Sequence, residues 1–436
     1  MKAFLFLLLG LFTTTLFAQK TFIYCGQLID VKKNEIQKEM TIVVQQNKIT
    51  DVLKGYVTAS STDKIIDLKS KTVMPGLIDM HVHVEMETKK GAAAEKFILN
   101  PADIAFESIK FMNATLMAGF TTVRDLGGTG VNISLRNAIA KGYVVGPRIF
   151  TAGKSIATTG GHADPTNGYR KDLMGNPGPA EGVINGPEDA YKAVRQRYKD
   201  GSDCIKITAT GGVLSQAKDG TNAQFTEEEI KAIVAAAKDY GFKVAAHAHG
   251  AEGIKRAIRG GVNSIEHGTY MDDEGMKLMK QFGTWYVPTI IAGKATGDSA
   301  KIPGYYSDIV TPKALAVGPN IQATFAKAYK AGVKIAFGTD AGVYAHGKNW
   351  MEFIYMTEAG MPILEAIHCA TVNASELLGT TDQLGSIEKG KLADIIAVDG
   401  DPTKDVNVMG KVKFVMKEGV VYKNEDLILG PSPAKL

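Results

Sequence analysis

The spacing of hydrophobic residues changes twice along the chain. Near the N-terminus, short segments rich in Ile, Val and Thr, such as "TIVVQQNKITDVL", are separated by polar turns, a pattern that predicts β-strands. The same pattern returns near the C-terminus in "VKFVMKEGVVYK". The two ends therefore predict a small composite β-sandwich domain, made of residues 19–74 and 385–436.

Between these ends, apolar strand-like runs alternate with helical patterns. One helix is predicted by "TEEEIKAIVAAAKDYG", in which Thr226 and Glu229 form a capping-box signature and Gly241 marks the end. Eight strands alternating with helices predict a (β/α)8 barrel of the TIM type over residues 75–384. A doubly wound open sheet is the alternative, but no glycine-rich dinucleotide fingerprint follows the first strand.

Two connections in this region are long and rich in Gly and Pro. The first follows the third strand and begins "TGGHADPTNGYRKDLMG", and the second follows the seventh strand and begins "AGKATGDSAKIPGYYSD". Long loops at the C-terminal face of a barrel usually shape the active site. We therefore expect both segments to form the mouth of a binding site.

The first eighteen residues have the layout of a secretory signal peptide. Lys2 precedes an apolar core, and small residues lead to Ala18, where cleavage is expected. A membrane anchor is the alternative, but the apolar run is short and is interrupted by Thr13, Thr14 and Thr15. The sequence thus predicts a secreted or periplasmic protein without a stable membrane span after cleavage.

Composition excludes some classes of partner. The chain has 436 residues, of which 45% are hydrophobic and 22% charged, as expected for a globular protein with a large core. The net charge of +4 is spread without a basic block, which argues against nucleic acid as a partner. Cys25, Cys204 and Cys369 are odd in number and far apart, so no disulfide framework is implied.

The first barrel strand, "PGLIDMHVHV", carries two histidines separated by one residue. Side chains alternate along a strand, so His81 and His83 point to the same face and together suit a metal ion. The alternative is two ordinary polar residues near a strand end. Lys206, between Ile205 and Ile207, would point into the barrel, where a bare ammonium is costly. A buried ion pair or a misplaced strand would also account for it.

Four more polar residues lie near the C-terminal ends of predicted strands. His247 and His249 repeat the alternating pattern in "AAHAHG", His267 ends "SIEHGT", and Asp340 ends "AFGTDAG". Barrel enzymes gather their catalytic residues at these strand ends. Imidazoles and a carboxylate on strands one, five, six and eight together predict a metal site.

Taken in order, these motifs resemble those of the amidohydrolase superfamily. The resemblance rests on "PGLIDMHVH", the lysine of "IKI", the histidines of strands five and six, the aspartate of "GTDAG" and the C-terminal "GSIEKGKLADIIAVDGDP". Within the superfamily, "TTVRDLGG", "TTGGHADP" and "IKITATGGVLS" are most similar to secreted Xaa-Pro dipeptidases (prolidases) and imidazolonepropionase-related enzymes. The resemblance covers nearly the whole mature chain.

This resemblance implies two divalent metal ions, with zinc favoured by the imidazole ligands. Lys206 would be carboxylated by carbon dioxide and would bridge the ions. One ion would be held by His81, His83 and Asp340, and the other by His247 and His267. Bound cations lower the pKa of water and polarise a carbonyl, and Asp340 could pass a proton to the leaving amine.

Two further histidines are expected at the barrel mouth. His249 and His162 could polarise the substrate carbonyl or hold a substrate carboxylate. The alternatives are that His249 orients a metal ligand without binding the metal itself and that His162 is an ordinary loop residue. Beyond them, His346 is a candidate for the pocket wall, His368 is expected to be structural, and Arg124 and Asp125 are interpreted as an internal pair.

The expected function is the hydrolysis of dipeptides or N-acyl amino acids. A hydrolase of cyclic amides or imidazolones is one alternative, although Lys206 and the signal peptide argue against it. A barrel that stores metal or binds solutes is another, although Asp340 exceeds what storage requires. Because similar enzymes form dimers and larger assemblies, a homo-oligomer is an open expectation.

Overall fold

The computed structural model of the protein describes residues 19–425 and 427–429, so the predicted signal segment 1–18 lies outside the described residues. No helix in the described part is both long enough and apolar enough to cross a membrane. Four strands rich in β-branched residues open the described chain: β1 (Lys20–Asp30), β2 (Glu35–Gln45), β3 (Lys48–Lys54) and β4 (Lys64–Pro75).

The middle of the chain alternates strands and helices. Its strands are β5 (Leu77–Val82), β6 (Phe120–Asp125), β7 (Arg148–Thr151), β8 (Ala157–Thr158), β9 (Val183–Ile184), β10 (Ile205–Thr208), β11 (Val244–Ala248), β12 (Ser264–His267) and β13 (Trp285–Val287). Its helices are α1 (Pro101–Met117), α2 (Val131–Ala140), α3 (Lys171–Met174), α4 (Pro187–Asp200), α5 (Glu227–Asp239), α6 (Ala251–Arg259), α7 (Asp273–Phe282), α8 (Ile290–Ala300), α9 (Val310–Lys330), α10 (Met351–Glu358), α11 (Ile363–His368) and α12 (Ala374–Leu378).

The long middle strands form two parallel sheets, β5-β6-β7 and β10-β11-β12-β13. Main-chain hydrogen bonds continue from one sheet to the other. Ile156, just after β7, donates to Lys206 O at 2.8 Å in β10. On the other side, Tyr286 donates to Lys334 O at 2.8 Å, and Asp340 donates to His81 O at 2.7 Å. Residues 333–341 therefore connect β13 back to β5, although only isolated bridges form along them.

The C-terminal strands are β14 (Ile395–Val398), β15 (Val412–Lys417), β16 (Val420–Asn424) and β17 (Leu427–Ile428). They join the N-terminal strands in one eight-stranded sheet, in the order β17-β16-β15-β14-β4-β1-β2-β3. The sheet is mixed, since β1 and β4 run parallel and the other neighbours run antiparallel. Strands from both chain ends thus share one sheet, with a core of its own that includes Ile23, Ile42 and Phe414.

The segment after the seventh predicted strand differs from the expected loop. Most of it is helical, because α8 and α9 occupy it and pack against each other. A Cβ on Gly293 would lie 2.8 Å from Ile321, and one on Gly318 would lie 3.2 Å from Gly293 O. The glycines that suggested a loop are therefore contact points between two closely packed helices. The segment after β7 does contain mostly irregular chain, with only β8, α3 and β9.

Candidate metal centre

The carboxyl ends of the parallel strands bring the predicted ligands into one buried cluster. His81 lies on β5, Lys206 on β10, His247 on β11 and His267 on β12, and Asp340 lies in the connecting segment 333–341. These five side chains are buried. Parallel strands end at the same edge, which explains why residues far apart in the chain meet here.

Short distances link the cluster around Asp340 and Lys206. Asp340 Oδ1 lies 3.2 Å from His83 Nε2 and 3.5 Å from His81 Nε2. Lys206 Nζ lies 3.4 Å from His81 Nε2. Asp340 Oδ1 is buried and makes no well-directed hydrogen bond. An orphaned carboxylate oxygen beside imidazole nitrogens is the arrangement that a metal ion would satisfy.

Two groups of three side chains could each hold an ion. Within each group the ligand atoms all lie within 4.8 Å of one another. One group is His247, His249 and His267, and the other is His81, His267 and Asp340. His267 belongs to both groups, and His249, expected at the mouth, lies with the ligands.

Burial favours the metal-binding form of the histidines. It lowers the pKa of His81, His247 and His267 well below the usual value, so these rings are neutral at pH 7. His83 differs, because contact with Asp340 outweighs burial and raises its pKa. Burial would raise the pKa of Asp340, but His81 and His83 outweigh it and the carboxyl is ionised. A metal ion binds only the deprotonated ring nitrogen, so metal would compete with a proton at His83.

Lys206 is the buried cation of the cluster. Burial lowers its pKa to about 8, although the charges of Glu266 and Asp340 oppose the shift. A fraction of the amine is therefore neutral near pH 7 and able to act as a nucleophile. Within the described chain Lys206 makes no salt bridge; its Nζ lies 3.4 Å from Nε2 of His81, and its side chain lines the cavity.

A layer of hydrogen bonds behind the rings fixes their orientation. Nδ1 of His81 lies 2.9 Å from Glu266 Oε2, and Arg124 pairs with the other oxygen of Glu266 at 2.9 Å. Nδ1 of His267 lies 2.8 Å from Thr289 Oγ1. Such partners select the tautomer and aim the opposite nitrogen at a metal. These hydrogen bonds were not predicted from the sequence, in which the only signal for any of them is Glu266, one residue before His267.

The two histidines predicted for the mouth lie beside the candidate ligands. The ring of His162 stacks on His247 with centroids 4.3 Å apart, and its Nδ1 has no hydrogen-bond partner. His249 Nδ1 lies 2.8 Å from Thr269 Oγ1. Burial, helped by neighbouring cationic groups, lowers the pKa of His162 to about 3 and that of His249 to about 4. Both rings are therefore neutral donors or acceptors at pH 7.

The cluster lines a cavity of about 300 Å³. Apolar residues also line the cavity, and those from α8 and α9 are Ala292, Gly293, Val317 and Ile321. The cavity therefore combines a polar end able to hold ions with a wall that accepts an apolar side chain.

Four other residues considered in the sequence lie outside the cluster. Arg124 and Asp125 do not pair: they alternate along β6, so Arg124 contacts Glu266 while Asp125 accepts from Asn132 at 2.7 Å. The pair expected from adjacency was wrong because neighbouring strand residues face opposite sides. The ring of His346 stacks on Phe111 and is not part of the cavity wall. Nδ1 of His368 lies 2.7 Å from Val31 O, just after β1, and so links α11 to the eight-stranded sheet.

An α/β fold that gathers imidazoles, a lysine and a carboxylate at its strand ends defines a class of hydrolytic enzymes. The sequence model described as "Amidohydrolase family" matches residues 72–422, and the chain belongs to this family. Family members are generally metal-dependent, and the protein is a hydrolase of carbon–nitrogen bonds.

Individual relatives agree with this assignment. The chain is 31% identical to ochratoxinase from Aspergillus niger over 437 residues, which cover 95% of this chain and 88% of the relative. A solved Xaa-Pro dipeptidase with methionine bound in its active site is 55% identical, with a TM-score of 0.91, covering 93% and 100% of the two chains. A prolidase complexed with N-methylphosphonate-L-proline is 33% identical, with a TM-score of 0.85 and coverage of 93% and 100%.

Proposed function

We propose that the protein is an exported, two-metal amidohydrolase that cleaves the amide bond of dipeptides, Xaa-Pro or similar, or of N-acyl amino acids. The observation that carries the proposal is the pair of ligand groups that share His267, with Lys206 beside them. The similarity to a Xaa-Pro dipeptidase and a prolidase supports this choice of substrate. The fold we infer is a (β/α)8 barrel spanning residues 75–384, with a β-sandwich domain formed by 19–74 and 385–436.

The ligand set fits two divalent cations, and zinc suits its imidazoles best. We assign one ion to His81, His83 and Asp340 and the other to His247 and His267. Once bound, the cations would polarise a substrate carbonyl and lower the pKa of water. The Lys206 amine would add to carbon dioxide and release a proton, giving a carbamate anion. That anion would remove the cost of a bare ammonium among cations.

The chain's own groups supply the proton transfers and the orientation. Asp340 is ionised, so its carboxylate can accept a proton and deliver it to the departing amine. His162 and His249 offer neutral ring nitrogens beside the ligands, where they can donate to a carbonyl or to a substrate carboxylate. The apolar residues of α8 and α9 in the cavity wall would accept an apolar side chain of the substrate.

A screen of substrates tests the proposal. Zinc-loaded protein and the same protein treated with a chelator are incubated with dipeptides, N-acyl amino acids and cyclic amides, and product amines are measured. We expect the loaded protein to hydrolyse free dipeptides, with Xaa-Pro among them, and the treated protein to lose this activity. Hydrolysis of cyclic amides alone would overturn the substrate assignment. A failure of the loaded protein to hydrolyse any of the amides would overturn the assignment of catalysis to this site.

A further inference from the structure

The segment of residues 211–217 follows β10 and forms one side of the cavity. Val213, Leu214 and Ser215 line the cavity, and Gly211 O lies 3.1 Å from Nε2 of His247. A Cβ on Gly212 would lie 2.2 Å from the His162 ring, so the main chain packs directly against that ring. The position of this segment therefore determines the space available to His162.

Lys313, on α9, holds this segment from outside the cluster. Its Nζ donates to the main-chain carbonyls of Gly212 at 3.0 Å, Ser215 at 2.7 Å and Ala217 at 2.8 Å. An ammonium group has three protons, and each has an acceptor here. A cation whose donors all go to carbonyls of one short segment acts on the shape of that segment rather than on a substrate.

Few other hydrogen bonds attach residues 211–217 to α9 or to the residues just before that helix. Gln216 Oε1 accepts from Ser307 Oγ at a long 3.3 Å. Within the segment, Ser215 Oγ donates to Gly212 O at 3.1 Å, which shapes the turn but does not attach it to a helix. Charge-assisted hydrogen bonds are stronger than neutral ones, so Lys313 provides the main attachment on this side.

We propose that Lys313 is a positioning residue that locks residues 211–217 against His162 and so fixes the end of the cavity that receives the substrate carboxylate. The role of His162 toward a carboxylate rests on the proposed function, whereas the attachment of the segment does not. Lys313 acts through the segment and does not touch the reacting atoms.

Hydrogen exchange on the full-length protein tests the attachment without any substrate. We compare the wild type with Lys313→Met, which removes the three donors, and with Lys313→Arg, which keeps a charged donor. Lys327→Met is the matched control, because Lys327 is an exposed lysine on the same helix. Amides of residues 211–217 should exchange about tenfold faster in Lys313→Met, with protection largely restored in Lys313→Arg.

Unchanged exchange in Lys313→Met would overturn the proposal, and so would equal acceleration in Lys327→Met. Should Lys313→Met fail to fold, Lys313→Gln replaces it in the same comparison, since the shorter amide keeps a polar end and lacks the third donor.

Kinetics on a free-acid dipeptide test the consequence for binding. Lys313→Met should raise KM about tenfold and change kcat by less than about twofold, because ground-state binding is weakened. Lys313→Arg should recover most of the loss. A fall in kcat with an unchanged KM would overturn the positioning role. If the wild type cleaves no dipeptide, the proposed function fails, and the exchange measurement still decides the role of Lys313.

Discussion

Thr289 Oγ1 lies 2.8 Å from Nδ1 of His267, and both residues adopt left-handed backbone angles, with φ values of 53° and 71°. Positive φ is uncommon outside glycine and strained for β-branched threonine. The strain is retained at the point where a hydroxyl orients the ring that belongs to both ligand groups. Thr289 is therefore expected to control metal binding without being a ligand.

Replacing Thr289 with valine should weaken zinc binding by about tenfold to a hundredfold, because the His267 ring loses the partner that orients it. Competition with a chromophoric chelator measures the affinity directly. Thr289→Ser keeps the hydroxyl and is the matched control, with an affinity expected near that of the wild type. Equal affinities of Thr289→Val and the wild type would show that the hydroxyl does not orient the ligand.

In metal-free protein, burial of the His249 ring should make the free energy of unfolding depend on pH. Burial, with nearby Lys206 and Lys313, lowers the pKa of His249 from 6.5 to about 4. Below pH 6.5 this histidine is protonated in the unfolded chain but stays neutral in the folded chain. The free energy of unfolding therefore falls as the pH drops toward 4. Between pH 7 and pH 5 this one group should remove about 2 kcal/mol of unfolding free energy.

Urea unfolding at pH 7 and pH 5 measures this contribution. The wild type should lose about 2 kcal/mol more than His249→Gln over this interval, because the variant has no ring to protonate. Thr269→Val is the control, since it removes the partner of His249 and leaves a titrating ring in place. Parallel losses in the wild type and His249→Gln would refute the assigned shift.

Substrates with a free carboxylate should be cleaved better than their C-terminal amides. A buried donor that loses its anionic partner costs about 1–3 kcal/mol, which corresponds to roughly tenfold or more in kcat/KM. His162→Ala and His249→Ala should each narrow this preference more than they lower metal content. Steady-state kinetics on matched acid and amide pairs check the prediction, and equal rates for both in the wild type would contradict it.

The N-terminal layout predicts export and cleavage near Ala18. Protein isolated from its native host should therefore begin close to Gln19, as measured by N-terminal sequencing or intact mass. An intact Met1 on the mature protein would contradict the prediction.

The sequence predicted the cluster because its histidines and carboxylate follow simple rules of strand geometry. Alternation placed His81 and His83 on one face, and the position of Asp340 at a strand end placed it near them. Family membership, predicted from the same motifs, is confirmed. The contribution of both chain ends to one sheet is also present in the structure.

The remaining features depend on contacts between distant segments. Gly293 and Gly318 indicated a loop in the sequence, yet they are places where α8 and α9 pack closely, with little room for a side chain at Gly293 and a tight contact at Gly318. Thr289, which contacts His267, has a positive φ, and nothing in the sequence around a threonine suggests that backbone angle. Lys313 lies about a hundred positions from the carbonyls it binds, and no local pattern connects them.

The central claim is a two-metal centre that includes Lys206, and metal analysis tests it most directly. The full-length protein is saturated with zinc in the presence of bicarbonate, freed of excess metal and measured by elemental analysis, together with Lys206→Ala. We predict two ions per wild-type chain and a clear loss of metal in Lys206→Ala, partly restored by small carboxylic acids that can occupy the position of the carbamate. One ion or none in the saturated wild type would contradict the claim.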